Sequence, residues 1–358
     1  MKRIAIVDPA SYALTYDYQY IKALSRYYDV DFYCSYTKYN YDYIGKIKKL
    51  NNVNVFEYNV SGVNRFVGLL NLLGVFFSLV FKSSRYTSIN VQWSVFPLLE
   101  IPFYFILKNK LIYTFHNSKP HNSNSKTSLV NRLISKLSKC NLFVSDFTKK
   151  TFEDDYCYTN SKNLVLKHGV MPLSDDCNQV VSSDDNSNTL NLVFWGNVKP
   201  YKGLEFILDC VPFLQKEGIP VKVYGKFDYN QLYIHRKLIE MNQESINDYL
   251  PLDYIHSILL NRDNLLVLPY KNGSQSGIMY NCLACGTPFI SSNTGESAQF
   301  LRRHGLGKLV FEYGNVHSLL CSIDYYSREK KDILSKFKSL KDEYSWCYDS
   351  VNLKRIFG

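Results

Sequence analysis

"FWGNVKPYKGLEFIL", residues 194–208, decides how the rest of the chain is read. Leu190 to Trp195 is a mostly apolar run of strand length, as expected for a strand buried on both faces. Gly196 ends it, Lys199 and Lys202 stand three apart in the turn, and Gly203 opens an apolar-periodic helix. A strand–turn–helix junction aims backbone N–H groups and the positive end of a helix dipole beyond the strand's end. Two lysines at that point predict an anionic ligand, most simply a diphosphate. The spacing is neither GxxxxGK[ST] nor GxGxxG, so a nucleoside-triphosphate loop and a dinucleotide fingerprint are both absent.

Working outward, the same strand–helix alternation fills both halves. Before the junction, "RIAIVDP", "DVDFYCSY", "NVNVFEYN", "SINVQWSVFP", "KLIYTFHN", "NLFVSDF" and "NLVLKHGV" read as strands. After it, "PVKVYG", "DNLLVLPY", "TPFISS" and "KLVFEY" continue the pattern. Between the halves, residues 171–189 are rich in Ser, Asp and Asn and read as a linker. The expectation is an α/β protein of two Rossmann-like domains facing a cleft, 1–170 and 190–340. A C-terminal helix, 341–358, is expected to return to the first domain.

Two further segments carry candidate chemistry. In "VLPYKNGSQSGIMYNCLACGTPFISSNTGESAQFL", residues 267–301, a strand ends at Tyr270 and a helix starts near Ser276 and Gly277. A second small-residue turn, Thr294-Gly295-Glu296, opens the next helix. Two anion-friendly helix starts in one domain suit a nucleoside diphosphate carrying a sugar, with Glu296 either accepting from sugar hydroxyls or serving the helix dipole. In the first domain, His116 ends a strand and His121 follows in the loop of "YTFHNSKPHNSNSK". His116 thus stands where α/β sheets place functional groups, and Asp8 ends the first apolar run.

Composition narrows the classes. The 358 residues are 46% hydrophobic, enough for two cores. Nine cysteines without pattern suggest a reducing compartment, and Cys282-x-x-Cys285 has no second pair to complete a metal site. The net charge of +10 lies in the first half, where residues 1–170 hold 22 Lys and Arg against 11 Asp and Glu. Such a surface attracts phosphates or anionic lipid; no nucleic-acid motif accompanies it. The apolar run 66–81 is short for a span and reads either as a core helix or as a segment lying in a membrane interface. Residues 126–140 form a basic amphipathic helix that could touch the same surface.

Together these stretches resemble the GT-B nucleotide-sugar glycosyltransferases, especially the retaining family-four group and its bacterial polysaccharide relatives. "FHNSKPH" resembles that family's strand-end histidine motif, "KHGV" the segment before the interdomain hinge, and "SQSGIMYNCLACGTPFISS" the loop and helix beneath the nucleotide. In "FWGNVKPYKGLEFIL", Lys202 is the clearest match to the lysine that holds the donor diphosphate. The chain departs where many relatives carry two glutamates eight apart, since Gly273 and Asn281 stand there; Asn197 replaces a common arginine. The resemblance implies a metal-independent glycosyltransferase without cofactor, using a UDP or GDP sugar, hexosyl by expectation. Gly196, Lys199, Lys202, Tyr270, Ser276, Gly277, Thr294, Gly295 and Glu296 would hold the donor. His116 and Asp8 would be the catalytic candidates, either as general base or, for a retaining reaction, with the donor phosphate taking the proton. The acceptor would be a growing, lipid-linked glycan, with the protein on the cytoplasmic face of an anionic plasma membrane. A nucleotide-sugar 2-epimerase and a non-catalytic subunit of a polysaccharide complex fit the same fold and stay open at this stage.

Overall fold

The computed structural model describes all residues except 12, 37–40, 118–124, 160–161, 174–188 and 274–275, and gives no side chains for 125–128. His121 and most of the expected linker lie outside the described residues. The chain forms two compact units, Met1–Gly169 with Trp346–Gly358, and Val170–Ser345.

The first unit holds a seven-stranded sheet in the order β3 (Val53–Glu57), β2 (Tyr28–Cys34), β1 (Lys2–Asp8), β4 (Ser88–Val91), β5 (Leu111–Phe115), β6 (Cys140–Phe143) and β7 (Asn163–Val165). All its strand pairs are parallel. The connecting helices are α1 (Leu14–Leu24), α2 (Tyr41–Lys48), α3 (Arg65–Phe81), α4 (Pro97–Leu107), α5 (Ser125–Leu137) and α6 (Asp146–Tyr156). The second unit repeats the plan with six parallel strands, ordered β10 (Glu244–Ile246), β9 (Val221–Tyr224), β8 (Asn191–Trp195), β11 (Asn264–Leu268), β12 (Phe289–Ser292) and β13 (Val310–Phe311). Its helices are α7 (Leu204–Lys216), α8 (Leu232–Glu240), α9 (Leu252–Leu260), α10 (Gly277–Cys285), α11 (Gly295–Arg303), α12 (Val316–Arg328) and α13 (Lys330–Glu343). The chain is thus α/β throughout.

Burial explains the strand sequences. Residues Ile4–Asp8 of β1 and all of β11 are buried, because helices cover both sheet faces and leave no solvent side for polar alternation. In each unit the strand order reverses once, between β1 and β4 and between β8 and β11. At such a switch point the loops leave in opposite directions and open a crevice at the strands' carboxyl ends. Cys282 and Cys285 are both buried in α10, and burial raises the Cys282 thiol well above its ordinary value.

The 66–81 run forms most of α3. Asn64 caps it by accepting from the Phe66 N–H at 2.9 Å. Leu72, Val75, Phe76 and Leu79 enter the core, while Phe66, Leu70, Phe77 and Phe81 are exposed. Among the described residues no helix is long and apolar enough to cross a membrane.

The C-terminal segment corrects one expectation. In place of a single helix over 341–358, α13 ends at Glu343 and α14 (Ser350–Phe357) begins after a break. Asp349 restarts the helix, its carboxylate accepting from the N–H groups of Val351 and Asn352. The break lets Trp346 pack in the first unit against Tyr16, 5.4 Å between ring centres, and His168, 5.3 Å. There α14 is tied down at its end: the Ser88 hydroxyl donates to the Phe357 carbonyl at 3.1 Å, and Lys2 Nζ to that of Gly358 at 2.8 Å.

Gly169 lies against that tryptophan, and a Cβ at 169 would fall 2.6 Å from the indole ring. Gly169→Ala should therefore cost roughly 1–3 kcal/mol through overpacking. Thermal unfolding checks this; an unchanged melting temperature would mean that Trp346 moves aside freely.

Candidate active site

In the second unit, Gly196, Lys202, Tyr270, Ser276, Thr294 and Gly295 come together at the carboxyl ends of β8, β11 and β12. Their link is Tyr270, the second residue past β11. Lys202 Nζ donates to its hydroxyl at 2.9 Å and lies 4.2 Å from its ring centre. The same hydroxyl is 2.9 Å from Ser276 Oγ, at the N-cap of α10. The Tyr270 carbonyl accepts from Ser292 Oγ at 2.7 Å and Thr294 Oγ1 at 2.8 Å. One tyrosine thus fixes the lysine, the start of α10 and the turn before α11. Tyr270 and Ser276 are buried, Lys202 is half-buried and Lys199 is exposed.

The glycines here permit close backbone approach. Gly203 adopts φ +69°, and a Cβ there would sit 2.0 Å from the Pro269 carbonyl oxygen. At Gly273 a Cβ would fall 2.1 Å from both the N and the Cα of Gly295, so the loops after β11 and β12 touch backbone to backbone. No side chain fits at 273 without parting these loops. Gly277 is less constrained, since its added Cβ would meet only the Met171 methyl, at 3.3 Å. Asn281 is buried and donates through Nδ2 to the Met171 carbonyl at 2.8 Å. Glu296 is buried in the first turn of α11 and accepts from the Tyr280 hydroxyl at 3.0 Å. One pair was not anticipated from the sequence: Lys271 bridges to Glu205 in α7.

In the first unit, His116 and Asp8 lie at the carboxyl ends of β5 and β1. Both are buried. The His116 ring stacks on Trp93, 3.9 Å between centres at 9°, and meets Tyr16 edge-on at 5.0 Å. Its Nε2 lies 3.2 Å from Gln92 Oε1. Gln92 Nε2 donates to Asn90 Oδ1 at 2.6 Å, and Tyr20 donates to the same oxygen at 2.8 Å. That network sets the Gln92 amide, assigns the proton to His116 Nε2 and makes Nδ1 the acceptor. His168 also packs against Tyr16, 4.8 Å between ring centres, with Nδ1 2.6 Å from the Gly169 carbonyl oxygen.

Burial lowers both imidazoles to about 3, and His168 adds to the effect on His116. At neutral pH His116 is therefore a neutral hydrogen-bonding group. Asp8 Oδ1 accepts from the Ser11 N–H at 2.8 Å. Asp17, from α1, is fully buried beside it, and its carboxyl is raised well above the ordinary range by desolvation, then by the Asp8 charge and a hydrogen bond to Asp8. Asp17 therefore keeps its proton to higher pH than an ordinary carboxylic acid does. Asp17, Gln92 and Trp93 escaped sequence reasoning; Gln92 and Trp93 had the signal of following β4, and Asp17, inside α1, had none.

Residues 189–326 match the family model described as glycosyl transferases group 1. No curated protein matches the chain. Among solved structures, the chain resembles HepE from Anabaena in complex with UDP and glucose, at TM-score 0.71 and 14% identity, over 99% of this chain and 98% of that one. It also resembles sucrose-phosphate synthase from Thermosynechococcus elongatus, at TM-score 0.69 and 13% identity, covering 99% and 97%. WaaG, a glycosyltransferase involved in lipopolysaccharide biosynthesis, matches at TM-score 0.63 and 11% identity, covering 99% and 98%. These likenesses establish the GT-B fold.

Two outcomes follow from this geometry. Gly273→Ala should weaken binding of a nucleoside diphosphate and cost roughly 1–3 kcal/mol of stability, while Gly277→Ala is mild. Calorimetry and melting on the pair test the contrast, and equal behaviour would remove the backbone contact at 273 from the site. The second outcome concerns pH. An unfolded histidine takes up a proton near 6.5, but folded His116 and His168 do so near 3. Their contribution is complete above pH 6.5 and is lost as pH falls toward 3, by about 1 kcal/mol per histidine for each pH unit in that window. Asp17 has the opposite sign, because its raised folded value adds stability at low pH that disappears as pH rises. Between pH 4.5 and 6.5, His168→Gln should flatten the dependence of melting temperature on pH, and Asp17→Asn should steepen it. Parallel curves for all three proteins would contradict the buried, neutral imidazole.

Proposed function

We propose that this chain, a glycosyltransferase of the GT-B type with a group 1 domain at 189–326, moves a hexose from a nucleoside diphosphate sugar to a growing, lipid-linked glycan. The observation that carries this reading is the Lys202–Tyr270–Ser276 chain at the second unit's switch point. It supports a diphosphate seated over the N-terminus of α10, with Lys202 offsetting the charge that grows on the leaving group. Lys199, exposed on the same loop, supplies a second cation as the ligand arrives. Gly196, Gly277, Thr294 and Gly295 shape the floor, and Glu296 is read as the dipole partner of α11. These groups supply the charge that a metal ion would otherwise provide. UDP is the first donor base to test, since HepE was seen with UDP and glucose; GDP is the second.

The acceptor is assigned to the first unit. Its network supports His116 as a neutral group that positions a sugar or acceptor hydroxyl, accepting at Nδ1. Asp8, at the end of β1 beside Asp17, is the candidate base if the reaction inverts; a retaining reaction leaves the proton to the donor phosphate. The basic excess of this unit supports a location on the inner face of an anionic membrane, where a lipid-linked acceptor would be found.

The test is a donor panel with slow hydrolysis as readout. Release of nucleoside diphosphate supports transfer, epimer formation supports an epimerase, and inertness toward every donor supports a non-catalytic subunit. With the accepted donor, Lys202→Ala should lose roughly 1.5–3 kcal/mol of binding, or about ten- to a hundredfold in affinity. Wild-type affinity in that variant would take Lys202 out of the diphosphate site.

A further inference from the structure

The first unit presents an apolar surface that its own core does not need. On α4 the solvent side is formed by Leu98, Leu99, Pro102, Phe105 and Ile106, with Leu98 at 75% and Ile106 at 62% exposure. The opposite side of the same helix, Phe103, Tyr104 and Leu107, fills the core. A helix apolar on both sides, with one side in water, is the reverse of the usual surface pattern. Its neighbours share the feature. On α3 the outward residues are Phe66, Leu70, Phe77 and Phe81, the last 83% exposed; on α5 they include Leu129 and Leu133. These helices are in contact: α4 packs against both α3 and α5, with Phe77 of α3 5.2 Å from Phe103 of α4. The exposed residues therefore occupy three adjoining helices, a clustering uncommon on the surface of a monomer.

Charge says what covers this surface. Residues 61–145 contain ten Lys and Arg and a single acid, Glu100. Glu100 is buried and turned inward at the start of α4. It accepts from the N–H groups of Val95 and Phe96, both at 2.8 Å, and from the hydroxyls of Ser94 and Tyr104. The helices thus show solvent no carboxylate, while Arg65, Lys82, Arg85 and Lys108 lie at or just beyond the ends of α3 and α4, and Arg132 and Lys136 line α5. A second copy of this chain would bring like charges face to face. An anionic bilayer offers both complements, acyl chains for the crest and phosphate headgroups for the basic rim.

We propose that α3, α4 and α5 form a monotopic membrane-insertion surface, with Leu98, Phe105 and Ile106 of α4 entering the headgroup–acyl boundary of an anionic leaflet. This deepens the membrane-facing reading above and rests on it for the role of the surface. It adds that attachment is hydrophobic as well as electrostatic, and that α4 leads it.

The test uses the full chain with vesicles of phosphatidylcholine alone or mixed with phosphatidylglycerol. Wild type should float with the anionic vesicles and stay largely bound when salt is raised to about 1 M, where the Debye length shrinks to about 3 Å. A tryptophan introduced by Ile106→Trp should be quenched by lipids brominated on the acyl chain; one introduced by Ile239→Trp, exposed on α8 of the second unit, should not. The Leu98→Glu/Ile106→Glu variant should lose at least about tenfold in vesicle partition. Leu98→Gln/Ile106→Gln repeats the test without new charge, and melting curves verify that each variant folds. Complete release by salt without quenching at 106 would overturn insertion and leave a purely electrostatic contact. A concentration-dependent dimer of the wild type, abolished by either double variant, would overturn it in favour of a copy-to-copy interface. Donor hydrolysis, measured on the same proteins, should be unchanged, so failure of the transferase reading would show separately.

Discussion

A parallel sheet covered by helices on both faces has almost nowhere to put polar side chains except the carboxyl ends of its strands. That constraint organises both units of this protein. In the second unit the crowded end is held by Tyr270, whose two polar atoms meet four partners: Lys202, Ser276, Ser292 at the end of β12, and Thr294. In the first it is held by Asn90, which takes hydrogen bonds from Tyr20 and Gln92 while donating to Thr114, so that β4 and β5 share one network with α1. Each network is largely buried and holds its members in one orientation, because an unmade bond among its buried groups would cost their full desolvation.

Desolvation also divides the roles of the titratable groups. His116 and His168 sit around Tyr16 and Trp346 among aromatic rings, and the cost of charging them keeps both neutral. An imidazole held so low is a weak proton acceptor and a good fixed dipole. The carboxyl pair behaves differently. Burial, with the Asp8 charge beside it, keeps the Asp17 carboxyl protonated well above the ordinary range.

Much of the architecture was legible because strands such as β1, β8 and β11 are largely apolar runs stopped by Asp8, Gly196 and Pro269. The junctions at 196–203 and 270–277 were readable for the same reason, since glycine, lysine and serine after such a run have few structural uses. Other features left no local signal. The strand β10 is only three residues, Glu244–Ile246, and has no apolar run. The break at Tyr344–Asp349 lies within a helical pattern, and its cause is the burial of Trp346 in the first unit. The exposed side of α4 reads in sequence as ordinary core, because the composition of a helix apolar on both sides does not reveal which side is covered. Asp17 was invisible because its meaning comes from Asp8, nine positions away in sequence and adjacent in space.

The absent glutamates have a structural explanation at one of the two positions. At 273 the backbone of Gly295 occupies the space a Cβ would need, so any side chain there would part the loops that Tyr270 joins. At 281 the asparagine amide serves the chain itself, holding the Met171 carbonyl at the entry to the second unit. An anion approaching the start of α10 meets an ammonium, a hydroxyl pair and a helix dipole, with Glu205 already bridged to Lys271 and Glu296 bonded to Tyr280. On the proposed donor reading, the site gains in attraction for phosphate what it gives up in carboxylate contacts to ribose and sugar hydroxyls. Recognition of a donor sugar would then fall to neutral groups, which discriminate by shape and hydrogen-bond direction rather than by charge.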